Sequence, residues 1–263
     1  MLVIEFLGAP YSGKSYYKDI IEKDIFFRDY KVYDYKQNFF CNYNNIKNLN
    51  IIQKFIIKLY CKKPIKNIKK KPGLIKKKSF IITLIQNEIN KLIKYKSDSF
   101  QKKNYNLSKL VKDYLKNLKE TKERHTNLNR WINELFASYE ILSSIKSSNK
   151  IIIDSEGFIH RLNSLIMSSN EKHFIKSYLS ICPKPDILIY VDEDLKVINE
   201  RIKNSENHND IKKYKHNLQN IHNNSEIIYK EIKKFPIKLF ILNSKNFEQV
   251  KNEIIKYKKF KNR

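Results

Sequence analysis

The chain holds 263 residues, 53 of them basic against 27 acidic, for a net charge of +26 at pH 7; that length suits one large domain, or one domain carrying an insertion. No apolar run approaches the ~18 residues of a membrane span and no basic region precedes the apolar start, which argues against a transmembrane helix and a signal peptide. Cys41, Cys61 and Cys182 form no C-x-x-C pair, so neither a disulfide framework nor a zinc site is expected, and a cytoplasmic location fits.

The chain opens on an apolar run, Leu2 to Leu7 (LVIEFL), followed directly by Gly8, Ala9, Pro10, Tyr11, Ser12, Gly13, Lys14 and Ser15. This is the pattern G-x-x-x-x-G-K-[ST] between a predicted strand and a predicted helix, the context a phosphate-binding loop requires. Each residue type has a physical reason. Gly8 and Gly13 let the backbone turn its N–H groups inward around phosphate oxygens. Lys14 reaches the terminal phosphates, Ser15 is a Mg²⁺ ligand, and the following helix adds its positive end. Only 4 glycines occur in the chain, and two of them occupy the required positions. A nucleoside triphosphate with Mg²⁺ is the expected ligand.

A helix is predicted from Lys14 to about Asp24 and a second strand near Lys31–Tyr35 (KVYDY). From about Phe39 to Lys122 the sequence is rich in lysine and isoleucine and is broken at Pro64 and Pro72-Gly73. Apolar residues recur there at helical spacing, as in Leu107, Leu110, Val111, Tyr114 and Leu118, and read as core stripes. The interval between the second and third strands is too long for one crossover helix, so residues 39–122 read as a helical insertion. Lys66 to Lys78 reads as an exposed loop. The lysines run along the whole chain instead of gathering on one face, so the net charge reads as compositional bias before it reads as a nucleic-acid footprint. Against that background the six arginines, Arg28, Arg124, Arg130, Arg161, Arg201 and Arg263, mark candidate phosphate clamps, because guanidinium offers a rigid fork that lysine lacks.

Glu123 to Ser148 reads as an amphipathic helix carrying Arg124, Arg130 and Trp131. Next comes Lys150-Ile-Ile-Ile-Asp154-Ser155-Glu156-Gly157, a strand buried on both faces that ends in acids. Asp154 at that strand end is placed to hold Mg²⁺ opposite the loop serine, and Asp154 or Glu156 to engage an acceptor hydroxyl. Arg161 follows one turn into the next helix. Asp186 to Val191 (DILIYV) forms the following strand, and Asp194 is expected to cap a helix that carries Arg201 near its end. A polar segment, Asn204 to Asp210, then reads as a lid or loop. A helix over about 211–234, a strand over Ile237–Leu242 and a terminal helix from Phe247 complete the chain.

Strands alternating with helices predict an α/β fold: a five-stranded parallel sheet with helices on both faces, in a single domain over 1–263 with its core at 1–38 and 123–263 and the helical insertion at 39–122. GAPYSGKS after the first strand, IIIDSEG ending a middle strand, and DILIYVDEDLKVINERI running into a polar segment together resemble the P-loop nucleoside and nucleotide kinases. Thymidylate kinase is the most similar of them, over about residues 1–36 and 126–260. The resemblance implies that Gly8, Gly13, Lys14 and Ser15 hold ATP and Mg²⁺, that Asp154 takes the acid position after the middle strand, and that Arg201 is the lid-side arginine. Thymidylate kinases carry an arginine directly after that acid, whereas this chain has Ser155 and Glu156. The expected activity is therefore an ATP-dependent, Mg²⁺-requiring phosphotransferase acting on a small hydroxyl- or phosphate-bearing acceptor that the sequence does not name. Lys14, Asp154, Glu156 and Arg201 are its catalytic candidates, and Arg130 and Arg161 its substrate-binding candidates. The alternative is an ATP-hydrolysing or nucleotide-switched protein that engages nucleic acid through the basic insertion, a reading the spread of lysines does not favour.

Overall fold

The computed structural model describes residues 2–26, 32–34, 90–91, 93–143, 151–154, 156–167, 169, 171–204 and 217–261. Arg28, the loop at 66–78 and residues 205–216 of the polar segment and its continuation lie outside the described residues, as does most of the expected insertion. The elements are β1 (Leu2–Leu7), α1 (Lys14–Phe26), β2 (Val32–Asp34), α2 (Tyr105–Asn117), α3 (Lys122–Ser143), β3 (Ile151–Asp154), α4 (Phe158–Leu165) and α5 (Lys172–Ile181). They continue with β4 (Ile187–Val191), α6 (Leu195–Lys203), α7 (Leu218–Ile232), β5 (Lys238–Leu242) and α8 (Phe247–Lys261). The chain divides into two compact units, one of Met1–Val32, Lys109–Lys119 and Ser147–Arg263 and one of Tyr33–Ser108 and Glu120–Lys146.

In the first unit, β1 runs parallel to β4, and β4 parallel to β5. Alternate residues of these strands, Ile4 and Phe6, Ile187 and Ile189, Phe240 and Leu242, meet Tyr17 and Ile21 of α1 and Val250 and Ile254 of α8 in one buried cluster. This is the period-2 alternation of a sheet face under helices. Asp186 ties the start of β4 to β1, its Oδ2 accepting from the Val3 N–H at 2.8 Å while its own N–H donates to the Val3 carbonyl at 2.9 Å. On the opposite parity, Tyr190 of β4 stacks on Tyr229 of α7 at 4.7 Å. α7 in turn holds α4 through Asn163 Nδ2 donating to Ser225 Oγ at 2.6 Å and Asn224 Nδ2 donating to the Ile166 carbonyl at 2.8 Å. Buried amides of this kind fix how two helices seat, because a slipped packing leaves them without acceptors.

The expected five-stranded parallel sheet is corrected here. Helix makes up 67% of the described residues, and the sheet core is three parallel strands, β1, β4 and β5. β3 adds four backbone partners to β1 and β2 is a segment of three residues, in the overall order β2-β3-β1-β4-β5. The reason is element length. The strands run to at most 6 residues while α3 alone runs to 22, so most of the apolar surface that must leave water sits on helix stripes.

The second unit shows what those stripes do. Helical residues 93–103 pack on α3 through Phe100 stacked on Phe136 at 4.8 Å. They also share a polar seam in which Ser99 Oγ and Lys103 Nζ donate to Glu140 Oε1 at 2.8 and 2.5 Å and Ser97 Oγ donates to Asn133 Oδ1 at 2.8 Å. Desolvation pushes the Glu140 carboxyl up, but the Lys103 and Ser99 bonds outweigh it and hold the group below its usual range. Among the described residues no helix is long and apolar enough to cross a membrane.

Candidate phosphate-binding site

β1 delivers the chain into a loop with three left-handed residues, Gly8 at φ +151°, Tyr11 at φ +61° and Gly13 at φ +102°. Glycine takes such angles freely, while a tyrosine there is strained, and strain of this kind gathers at ligand clamps. The Ser12 N–H closes the turn on the Ala9 carbonyl at 3.3 Å, and the Tyr17 N–H on the Gly13 carbonyl at 3.0 Å starts α1. A Cβ on Gly8 would lie 2.7 Å from the Val191 carbonyl oxygen, so the loop base is seated against the end of β4 with no room to spare. Gly8→Ala is expected to lower stability by about 2 kcal/mol, read as a lower urea midpoint at unchanged slope; an unchanged midpoint refutes the crowding.

Lys14 is half-buried and donates to the Gly8 carbonyl at 2.9 Å and the Ala9 carbonyl at 2.6 Å. Burial lowers its pKa from 10.5 to about 7, and the Glu156 carboxylate only partly opposes this. A neighbouring anion would favour the charged form of an amine desolvated in this way. Beneath it the Ser12 hydroxyl is buried without a hydrogen-bond partner among the described residues. Ser15 is exposed at the second position of α1. Glycine geometry, a desolvated lysine amine and a buried hydroxyl would all suit a phosphate chain.

One side of the loop faces the start of α4. Glu156, about half exposed, binds the largely buried Arg161 through Oε2 to a guanidinium nitrogen at 2.6 Å. Two of the expected site residues are thus paired with each other close to Lys14. His160 beside them is held well below its usual pKa by burial, then by the charges of Lys14 and Arg161, so its imidazole is neutral. Asp154 ends β3 at the register position opposite Glu5; its side chain lies outside the described residues.

Glu5 is the residue that motif reading missed. It is 0% exposed in the middle of β1, and its Oε1 accepts from the His160 N–H at 2.7 Å. His160 is the third residue of α4, whose own N-cap, Gly157, supplies no capping side chain. The carboxylate therefore caps the helix from another strand, where the positive helix end favours it. A Cβ on Gly157 would lie 2.5 Å from the Glu5 carboxyl carbon. Gly157 has an ordinary φ of −70°, so its role is to admit that carboxylate, not to turn the chain around phosphate. The signal lay in the sequence, as the one charge within LVIEFL.

On the other side stands Arg201. α6 begins at Asp194, whose Oδ1 accepts from the Lys196 N–H at 2.7 Å, as expected of a capping residue. Seven residues on, Arg201 donates through one nitrogen to the Tyr11 carbonyl at 3.1 Å and through the other to Glu193 Oε2 at 3.2 Å. Arg201, which the kinase resemblance gives as the lid-side arginine, thereby contacts the loop at Tyr11. Arg130 belongs to the second unit, where it is exposed and 4.0 Å from Glu134.

Among the described residues no group of three or more His, Cys, Asp or Glu side chains is placed to hold a metal ion. No protein-family model matches the chain, and no curated protein matches it.

Proposed function

We propose that the chain is a cytoplasmic ATP-dependent phosphotransferase of the P-loop kinase type, thymidylate-kinase-like in its motifs, that uses Mg²⁺. The observation that carries this reading is the placement of Lys14: a desolvated amine held by loop carbonyls in a cradle opened by Gly8 and Gly13. A phosphate chain supplies the negative charge that this arrangement lacks.

ATP would supply the phosphoryl group, and Mg²⁺ would neutralise charge on its oxygens. Ser15 and Asp154 would hold the metal. Lys14 and Arg201 stabilise the transferring phosphoryl group from two sides of the loop, a contribution made by position and charge. The acceptor oxygen bonds to the γ-phosphorus as the bond from that phosphorus to the ADP oxygen breaks, and the acceptor's proton passes to Glu156 or to water. Glu156 lies near Lys14 and half in solvent, which suits it to meet an acceptor arriving from outside.

The test is MgATP consumption by the full chain against nucleosides, nucleoside monophosphates and sugars, with an acceptor-free control. Acceptor-dependent ADP release with phosphate found on the acceptor is the expected result. Consumption that no acceptor alters points to a hydrolase instead, and no ATP binding at all removes the reading.

A further inference from the structure

The exit of β4 carries three acids in a row, and they do not share a fate. Asp192 and Asp194 are exposed, and Asp194 is spent on capping α6. Glu193 between them is turned inward and only 6% exposed. A carboxylate buried to that extent needs a cationic partner, and Arg201 provides it at 3.2 Å. The same guanidinium donates to the carbonyl of Tyr11, the strained residue of the loop. One of its nitrogens would also lie 3.5 Å from a Cβ built on Gly13. Tyr17 is near enough to feel both charges: its hydroxyl is pushed up first by burial, then by Glu193, with Arg201 opposing.

The long arginine side chain reaches back along α6 from its last turn to the helix start, the direction helical side chains favour. Two acceptors on two elements then hold a fork that in solution samples many rotamers. We propose that Glu193 is a positioning residue that fixes Arg201 over the phosphate-binding loop, aimed at the terminal phosphate. This rests on the phosphotransferase reading above, and it gives a role to a residue that touches no substrate itself.

The experiment is calorimetric titration of the full chain with MgATP and MgADP, for the wild type, Glu193→Gln, Arg201→Ala and the double variant, each checked for an intact thermal transition. Glu193→Gln keeps the volume and removes the charge. It is expected to weaken MgATP about tenfold, the worth of one charge-assisted contact, while MgADP stays within about twofold. In the Arg201→Ala background the same change is expected to add nothing further. A general structural role moves both nucleotides together, so an unchanged ATP-to-ADP ratio in Glu193→Gln overturns the inference, as does additivity in the double variant. Should Glu193→Gln not fold, Arg201→Lys, which keeps the charge without the fork, is expected to show the same selective loss, and an unchanged ratio there overturns it equally. A wild-type protein that binds neither nucleotide removes the phosphotransferase reading itself, a result separable from the others.

Discussion

Replacing Lys14 by alanine is expected to lower MgATP turnover at least about a hundredfold in a protein that still folds. The side chain makes its two hydrogen bonds to carbonyls of its own loop, Gly8 and Ala9, and in this environment its pKa falls to about 7. That shift has consequences on both sides of binding. For stability, the unfolded chain holds a proton on Lys14 up to pH 10.5 whereas the folded chain releases it near 7. The folded state therefore gains stability as pH rises through that window, and the penalty of a buried charge is fully present below it. Lys14→Ala should flatten that rise in a denaturation series. For binding, the phosphate chain brings negative charge that restores the ammonium. Near pH 8 the wild type should thus take up a proton with MgATP, seen as a binding enthalpy that changes with buffer ionisation enthalpy, and Lys14→Ala should show no such change. Full turnover in the variant, or a binding enthalpy in the wild type indifferent to buffer, contradicts this account of the loop.

What could be read in the sequence follows the range of the forces involved. The loop was legible because its chemistry is local: two glycines at left-handed angles and a lysine a fixed number of residues on. The Asp194 cap was legible for the same reason, since a capping carboxylate reaches only two residues ahead. Arg201 was one of six arginines marked by rarity and the one the kinase resemblance put at the lid; its guanidinium donates to the Tyr11 carbonyl of the loop. The misses are contacts made between elements. Gly157 gave no sign of its role after the acidic strand end, yet its missing Cβ makes room for a carboxylate 152 positions earlier in the chain. Glu193 was hidden between two ordinary solvent acids, since nothing in three consecutive carboxylates says which one turns inward. The short apolar runs did mark the strand positions, but the five-stranded sheet failed as an expectation because such runs say little about how much of the remaining apolar surface helices carry. α2 shows this directly, burying Leu107, Val111, Tyr114 and Leu115 on one stripe.

Glu5 is the position at which a single substitution should cost the fold most for its size. Glu5→Ala leaves the His160 N–H without its acceptor and opens a cavity against α4; together these are expected to cost about 3 kcal/mol. Gly157→Ala reaches the same contact from the other side. Its new Cβ would overlap the carboxyl carbon at 2.5 Å, and Glu5 is wholly enclosed, so the carboxylate must leave its seat and lose its bond, for about 2 kcal/mol. If both losses are one event, they cannot add. In the Glu5→Ala background the alanine methyl enters space the carboxylate has vacated, and Gly157→Ala is expected to cost less than about 0.5 kcal/mol, a coupling of about 1.5 kcal/mol in a denaturant double-mutant cycle. Additive costs near 5 kcal/mol would mean that the carboxylate and the glycine act separately, and that the start of α4 is held by something else. The coupling bears on function because Glu156 and Arg161 flank the helix start it secures, while the strand that supplies the carboxylate ends two residues later at Leu7, directly before Gly8. One buried acid thus joins the loop that binds phosphate to the helix that faces it.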